Sequence, residues 1–240
     1  MARGFPDVGE VSAVLNENSL RLSRTRKGVS DTSTSSRKQP LRLIGEELRR
    51  QSAENEKLVH QFVCEARNNP PPRSAKEVRD LLFTIADMTN EGLLPADRLR
   101  TWPIGANQKA PQSGQAVSGA QAKVEPERIE AGLEAFCETV HRRWGELESD
   151  PVPLASWAEW ELNGGSLHPF YDGCGRIARS FGAMLLVRGG CLPPLYDNSE
   201  SYFAHGGQGS AAFAAYVRQC IERCKEWVGT ASGADSSATA

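Results

Sequence analysis

Leu167-His168-Pro169-Phe170-Tyr171-Asp172-Gly173-Cys174-Gly175-Arg176-Ile177-Ala178-Arg179 is the stretch whose reading decides the fold. Proline biases His168 away from helical backbone, and a turn of small residues leads into a helical pattern near Gly175. Gly173 and Gly175 let the main chain approach a ligand closely. The first N–H groups of a helix have no acceptor within it, so a helix start attracts an anion. Arg176 and Arg179 lie one turn apart and add two guanidinium groups beside that end. Asp172 is a hard oxygen donor for a divalent cation, and His168 can take a proton near neutral pH. Together these parts suit phosphoryl chemistry.

Each part alone has a plain explanation. A histidine beside proline is ordinarily a loop residue, Gly-x-Gly before a helix is ordinarily a turn, and arginines at i, i+3 are ordinarily solvated. Their convergence on one helix start raises the functional reading.

With those residues in view, HPFYDGCGRIAR resembles the Fic motif, commonly HPFxDGNGRxxR, of enzymes that transfer a nucleotide monophosphate to protein hydroxyls. The named positions match except one, where Cys174 replaces the usual Asn. The resemblance implies an all-α, Fic-type helical domain with a small β-hairpin flap. It implies His168 as general base, Asp172 as the Mg²⁺ ligand, and Gly173, Cys174 and Gly175 as amide donors to the phosphates. Arg176 would bind the leaving phosphates and Arg179 would assist. ATP would be the nucleotide donor, and a Ser, Thr or Tyr hydroxyl of a target protein the acceptor. Phe170 would anchor the loop inward.

Cys174 opens alternatives, because the usual Asn donates a side-chain hydrogen bond to a phosphate and a thiol is a weak donor. These are a slower transferase, a transferase with another phosphate-bearing donor, and a degenerate Fic-fold protein that binds nucleotide or partner without turnover. A thiolate nucleophile ranks last, since bound phosphates would repel it. The family's self-inhibiting pattern [ST]xxxE[GN] is absent in strict form: the residues four before Glu17, Glu54 and Glu91 are Ala13, Arg50 and Asp87. A separate inhibitory partner, or no such control, follows from that absence.

Composition sets the outer bounds. The 240 residues are 39% hydrophobic and 24% charged, with net charge −2, as for one ordinary globular domain with flexible ends. That balance and the lack of a recognition helix disfavour a DNA-binding module, so no nucleic-acid partner is expected. No apolar run approaches the roughly 18 residues of a membrane span, and no secretory h-region is evident. Six scattered cysteines without a C-x-x-C pair argue against zinc ribbons and disulfide scaffolds. A cytoplasmic location is expected, with a secreted effector as the alternative.

Along the chain, residues 1–40 read as a disordered tail or a delivery segment, rich in Ser, Thr, Arg and Lys. Residues 41–229 form the helical domain. One or two amphipathic helices span 41–68, and Ser74-Ala75-Lys76-Glu77 is a capping box for a helix that Gly92 stops. Residues 93–123 hold the flap, with Arg100–Ile104 and Gln115–Val117 as its strands, or else a surface insertion. A helix follows Glu125-Pro126-Glu127, with Ile129, Leu133, Phe136, Val140 and Trp144 in the core. Another runs from Val152 to Leu162 and carries Trp157 and Trp160. The motif occupies 168–179, with Ile177, Phe181, Met184 and Leu185 buried behind it. Residues 192–209 read as a loop, a last helix runs from Ala211 to Trp227, and 230–240 read as a disordered tail.

Overall fold

The computed structural model describes residues 6–24, 45–93, 99–100 and 123–235. Eight α-helices occur among them: α1 Val8–Arg24, α2 Gly45–Glu65, α3 Ala75–Asn90, α4 Ile129–Arg143, α5 Val152–Asn163, α6 Cys174–Arg188, α7 Ser199–Gly206 and α8 Ser210–Asp235. The described residues contain no strand, only one antiparallel bridge between Leu99 and Phe170. The domain is all-α, as the sequence implies.

The motif helix is the pillar. Every residue of α6 from Phe181 to Val187 is buried, and a helix apolar on all sides belongs inside a bundle. α5 packs along one side of it, α2 and α3 cover another, α8 backs α5, and α4 lies on α3. Gly182 permits the close α5–α6 approach, because a Cβ there would stand 2.6 Å from Glu159 Oε2. Trp157 and Trp160 are both packing residues, in different directions. Trp157 stacks on Phe136 of α4 at 5.3 Å, whereas Trp160 meets Phe213 of α8 at 5.4 Å.

Ser74 caps α3 by accepting from the Glu77 amide at 3.3 Å, as the capping box requires. Glu77 reaches back one residue further than expected, to the Arg73 amide at 2.7 Å. Gly92 ends that region at φ 70°.

Three spans differ from the sequence reading. Residues 8–24 are helical, not part of a disordered tail: Val11, Val14, Leu15 and Leu22 lie on one face and are buried. Four apolar side chains at helical spacing stabilise a helix that charged and polar neighbours disguise. Within the 192–209 loop, Asn198 accepts from the Ser201 amide at 2.8 Å and starts α7, whose Tyr202 is buried. α8 continues to Asp235, eight residues past Trp227, so the chain is helical at 230–235. Val228, just past Trp227, packs with Val14, Leu195 and Cys224 and carries the helix beyond the expected end. Residues 25–44 of the N-terminal span, the flap strands beyond Arg100, and residues 236–240 lie outside the described residues.

Candidate active site

Helix α5 ends at Asn163, and the chain runs from there through the motif loop into α6. His168 sits in that loop with φ 37°, the left-handed region that non-glycine residues adopt at a cost of about 1–3 kcal/mol. Its Nδ1 lies 2.6 Å from the Asn163 carbonyl. A carbonyl only accepts, so Nδ1 carries the proton and Nε2 keeps its lone pair. Burial holds the imidazole down at about 4; Lys123 and Arg100 push the same way, while the Asn163 bond and Asp172 oppose them. His168 is therefore neutral at pH 7, with its basic nitrogen turned away from Asn163.

The surrounding main chain is saturated with donors. Lys123 Nζ donates to the Gly164 and Gly165 carbonyls, and the Val124 amide donates to Ser166 at 2.9 Å. Arg100 donates through its guanidinium to Leu167 at 3.5 Å and to His168 at 2.8 Å, and through its amide to Pro169 at 2.9 Å. The Cys174 thiol closes the series on Phe170. Every carbonyl from Asn163 to Phe170 thus accepts a hydrogen bond, although residues 164–170 lie in no helix or strand. Arg100 is 1% exposed, and burial lowers its pKa. Burial likewise lowers Lys123, to about 8.

At the start of α6, Gly173 turns at φ 75°, and a Cβ there would meet Asn90 Oδ1 at 3.0 Å. Asn90 donates to the Asp172 carbonyl at 3.2 Å, and its Oδ1 is buried without a hydrogen-bond partner. Phe170 is the inward anchor the resemblance implies, 1% exposed and edge-on to Phe83 at 5.8 Å. Cys174 also points inward. Its sulfur accepts from the Phe170 amide at 3.3 Å and donates to the Phe170 carbonyl at 3.4 Å. Burial lifts the thiol to about 12, so no thiolate exists there at pH 7. The side chain serves the loop, and only its amide belongs to the helix start.

Arg176 and Arg179 come together on the wall of one cleft, bounded also by Asn18 and Ser19 of α1 and Glu56 and His60 of α2. His168 and Asp172 are not on that wall. Ser19 Oγ donates to Glu56 Oε1 at 2.6 Å, tying α1 to α2 at the rim. The Arg179 guanidinium lies over Gly175, where a Cβ would stand 3.1 Å from Nη1 and 3.4 Å from Asn163 Oδ1. Behind it, Glu159 is 1% exposed and receives the Tyr196 hydroxyl at 2.8 Å on both oxygens. Burial raises Glu159 to about 7; the Tyr196 bond and the Arg179 charge pull it down.

The structure adds four groups to those visible in sequence. Arg100 and Lys123 hold the loop carbonyls, Asn163 orients the His168 ring, and Glu159 sits behind Arg179. Only Asn163 had a local signal, as the helix terminator five residues before the histidine. The other three act across the fold, and no spacing marks them. Among the described residues, no cluster of three or more His, Cys, Asp or Glu could hold a metal ion by itself. One carboxylate, that of Asp172, nevertheless suffices for Mg²⁺, which binds through one or two carboxylates together with substrate phosphates. The orphaned Asn90 oxygen beside the Asp172–Gly173 turn adds a second hard donor of the right class. No described helix is long and apolar enough to cross a membrane.

No protein-family profile matches the chain, and no curated protein sequence matches it. Among solved structures it is similar to Fic-1 (residues 134–508) from C. elegans, at 16% identity and a TM-score of 0.53. That likeness covers 92% of this chain and 65% of the C. elegans structure. The chain has the fold of a Fic domain.

Proposed function

We propose that this Fic-fold chain transfers a nucleoside monophosphate from a nucleoside triphosphate, ATP as first choice, to a Ser, Thr or Tyr hydroxyl of a target protein. One observation carries the reading. A neutral histidine, its tautomer set by the Asn163 carbonyl, stands five residues before Gly173, the cap of a helix that bears two arginines in one cleft.

In the reaction, His168 Nε2 takes the proton of the target hydroxyl. The hydroxyl oxygen bonds to the α-phosphorus, the bond from that phosphorus to the bridging oxygen breaks, and pyrophosphate leaves. The first-turn amides of α6 face the phosphates, and Arg176 and Arg179 neutralise charge on the departing group. Asp172, with Asn90 beside it, would hold Mg²⁺, which when bound supplies further charge neutralisation. A base at about 4 is weak in the empty site, and the charge of a bound triphosphate raises it toward the working pH. Base strength then appears when substrate does.

Cys174 bears on the rival reading, a nucleotide binder without turnover. Its thiol faces Phe170 and donates nothing to a phosphate, but the exchange leaves the helix amides and both arginines in place. Intact-mass spectrometry after incubation with each nucleoside triphosphate, Mg²⁺ and a protein lysate tests the proposal. Wild type should gain or transfer a nucleotide monophosphate, and His168→Ala should lose at least about 100-fold of the rate. An inert wild type that still binds nucleotide by calorimetry would establish the binder instead.

A further inference from the structure

We propose that Arg100 is a positioning residue for His168, holding the base's backbone in the left-handed conformation that brings its imidazole onto Asn163. Naming His168 the base rests on the transferase reading; the geometry of the clamp does not.

A histidine at φ 37° is unfavourable by itself, and the proline after it removes the helical alternative. The conformation therefore needs external hydrogen bonds. Arg100 supplies them on both sides of the residue: its guanidinium takes the Leu167 and His168 carbonyls, and its amide takes the Pro169 carbonyl. Leu99 adds the antiparallel bridge to Phe170. A planar guanidinium can hold two successive carbonyls in fixed directions, which a single ammonium cannot do. The same guanidinium also donates to the Val124 carbonyl, so Arg100 and Val124, which flank residues 101–122, are tied together beside His168. Lys123 extends the clamp upstream through Gly164 and Gly165, at the α5 terminus whose Asn163 carbonyl the imidazole uses.

The charges facing His168 are Arg100, Lys123 and Asp172. Glu161 lies next to this group, acting on Lys123 and accepting from Ser166. Removing Arg100 takes away a cation that depresses the imidazole and frees the backbone to relax, so both effects move the titration upward. The replacement of Arg100 by Lys separates them, since it retains the charge and loses the fork.

The experiment is long-range proton–nitrogen NMR of the His168 ring over pH 3.5–8 in wild type, Arg100→Met, Arg100→Lys and Lys123→Met, with His168→Ala for assignment. Wild type should show the Nδ1–H tautomer and a midpoint near 4. Arg100→Met should give a tautomer mixture and a midpoint at least about one unit higher. Arg100→Lys should mix the tautomers with a smaller upward shift. A wild-type tautomer and midpoint in folded Arg100→Met would overturn the proposal. If that variant does not fold, a wild-type spectrum in Arg100→Lys overturns it. Label transfer measured in parallel should fall at least about tenfold in kcat with nucleotide KM within twofold. Ring spectra that shift as expected in a protein with no transferase activity would refute the function and leave the clamp standing.

Discussion

Replacing Glu159 by Gln should make the protein gain stability relative to wild type as pH rises. Glu159 is buried at 1% exposure between α5 and α6, with Tyr196 on its oxygens. Its folded value of about 7 exceeds the ordinary 4.5. A raised acid contributes stability that is fully present below pH 4.5 and is lost as pH rises through 7. The gap of about 2.5 units, at 1.36 kcal/mol each, comes to about 3 kcal/mol. Gln cannot titrate, keeps an oxygen for the Tyr196 hydroxyl, and has nearly the same shape. The difference in unfolding free energy, variant minus wild type, should rise by about 3 kcal/mol between pH 4.5 and pH 8. His168 has the opposite sign. Its folded value of about 4 lies below 6.5, so its stability is present above 6.5 and is lost as pH falls toward 4. The two windows overlap from 4.5 to 6.5 and oppose one another there, and the Gln variant exposes the histidine slope. Urea unfolding at fixed ionic strength over pH 4.5–8 measures both quantities. A variant-minus-wild-type difference that stays constant with pH would show that Glu159 ionises normally in the fold, and would refute the reasoning.

Cys174→Ala removes the partner of the buried Phe170 amide and should cost about 1–3 kcal/mol, whereas Cys174→Asn keeps a donor and an acceptor and should hold the thermal midpoint. Because the thiol faces Phe170, Cys174→Asn should change transfer by less than about threefold through phosphate contacts, and a large rise in initial rate would contradict the inward placement. Arg176→Ala should weaken Mg-ATP binding by roughly 1.5–3 kcal/mol, about 10- to 150-fold in Kd by calorimetry. Gly182→Ala drives a methyl to 2.6 Å from Glu159 Oε2 and should lose about 1–3 kcal/mol by urea unfolding.

The motif carried the fold because its parts are local. Proline after His168, the glycine turn and the apolar run of α6 stand in consecutive residues, and a helix this buried advertises itself by composition. The α4 core positions emerged from periodicity, and Ile129, Leu133, Phe136 and Val140 are all buried. α1 escaped because its four buried apolar residues stand among polar ones in a stretch whose average resembles a tail. α7 escaped because it is short and follows two prolines. What the side chains do to one another was hidden for a different reason. Arg100 meets His168 across 68 positions, and Lys123 meets Gly164 across 41. Such contacts are created by packing, and nothing in a linear pattern records them. The direction of the Cys174 thiol is likewise a property of the folded turn.

The closed carbonyl series has a practical consequence for building new proteins. Arg100 and Val124 are joined by a side-chain hydrogen bond, so the exits at either end of residues 101–122 are neighbours in space. Grafting depends on that proximity. For a flexible loop between such points, doubling the length costs only about 0.6 kcal/mol in closure entropy. A segment joined to Arg100 and Val124 therefore starts and ends at neighbouring points, and its length could vary at small closure cost while Leu99–Arg100 and Lys123–Val124 stay as they are. Those two attachment points lie beside His168, whose carbonyl Arg100 holds, so a change of segment between them leaves the clamp on the His168 loop in place.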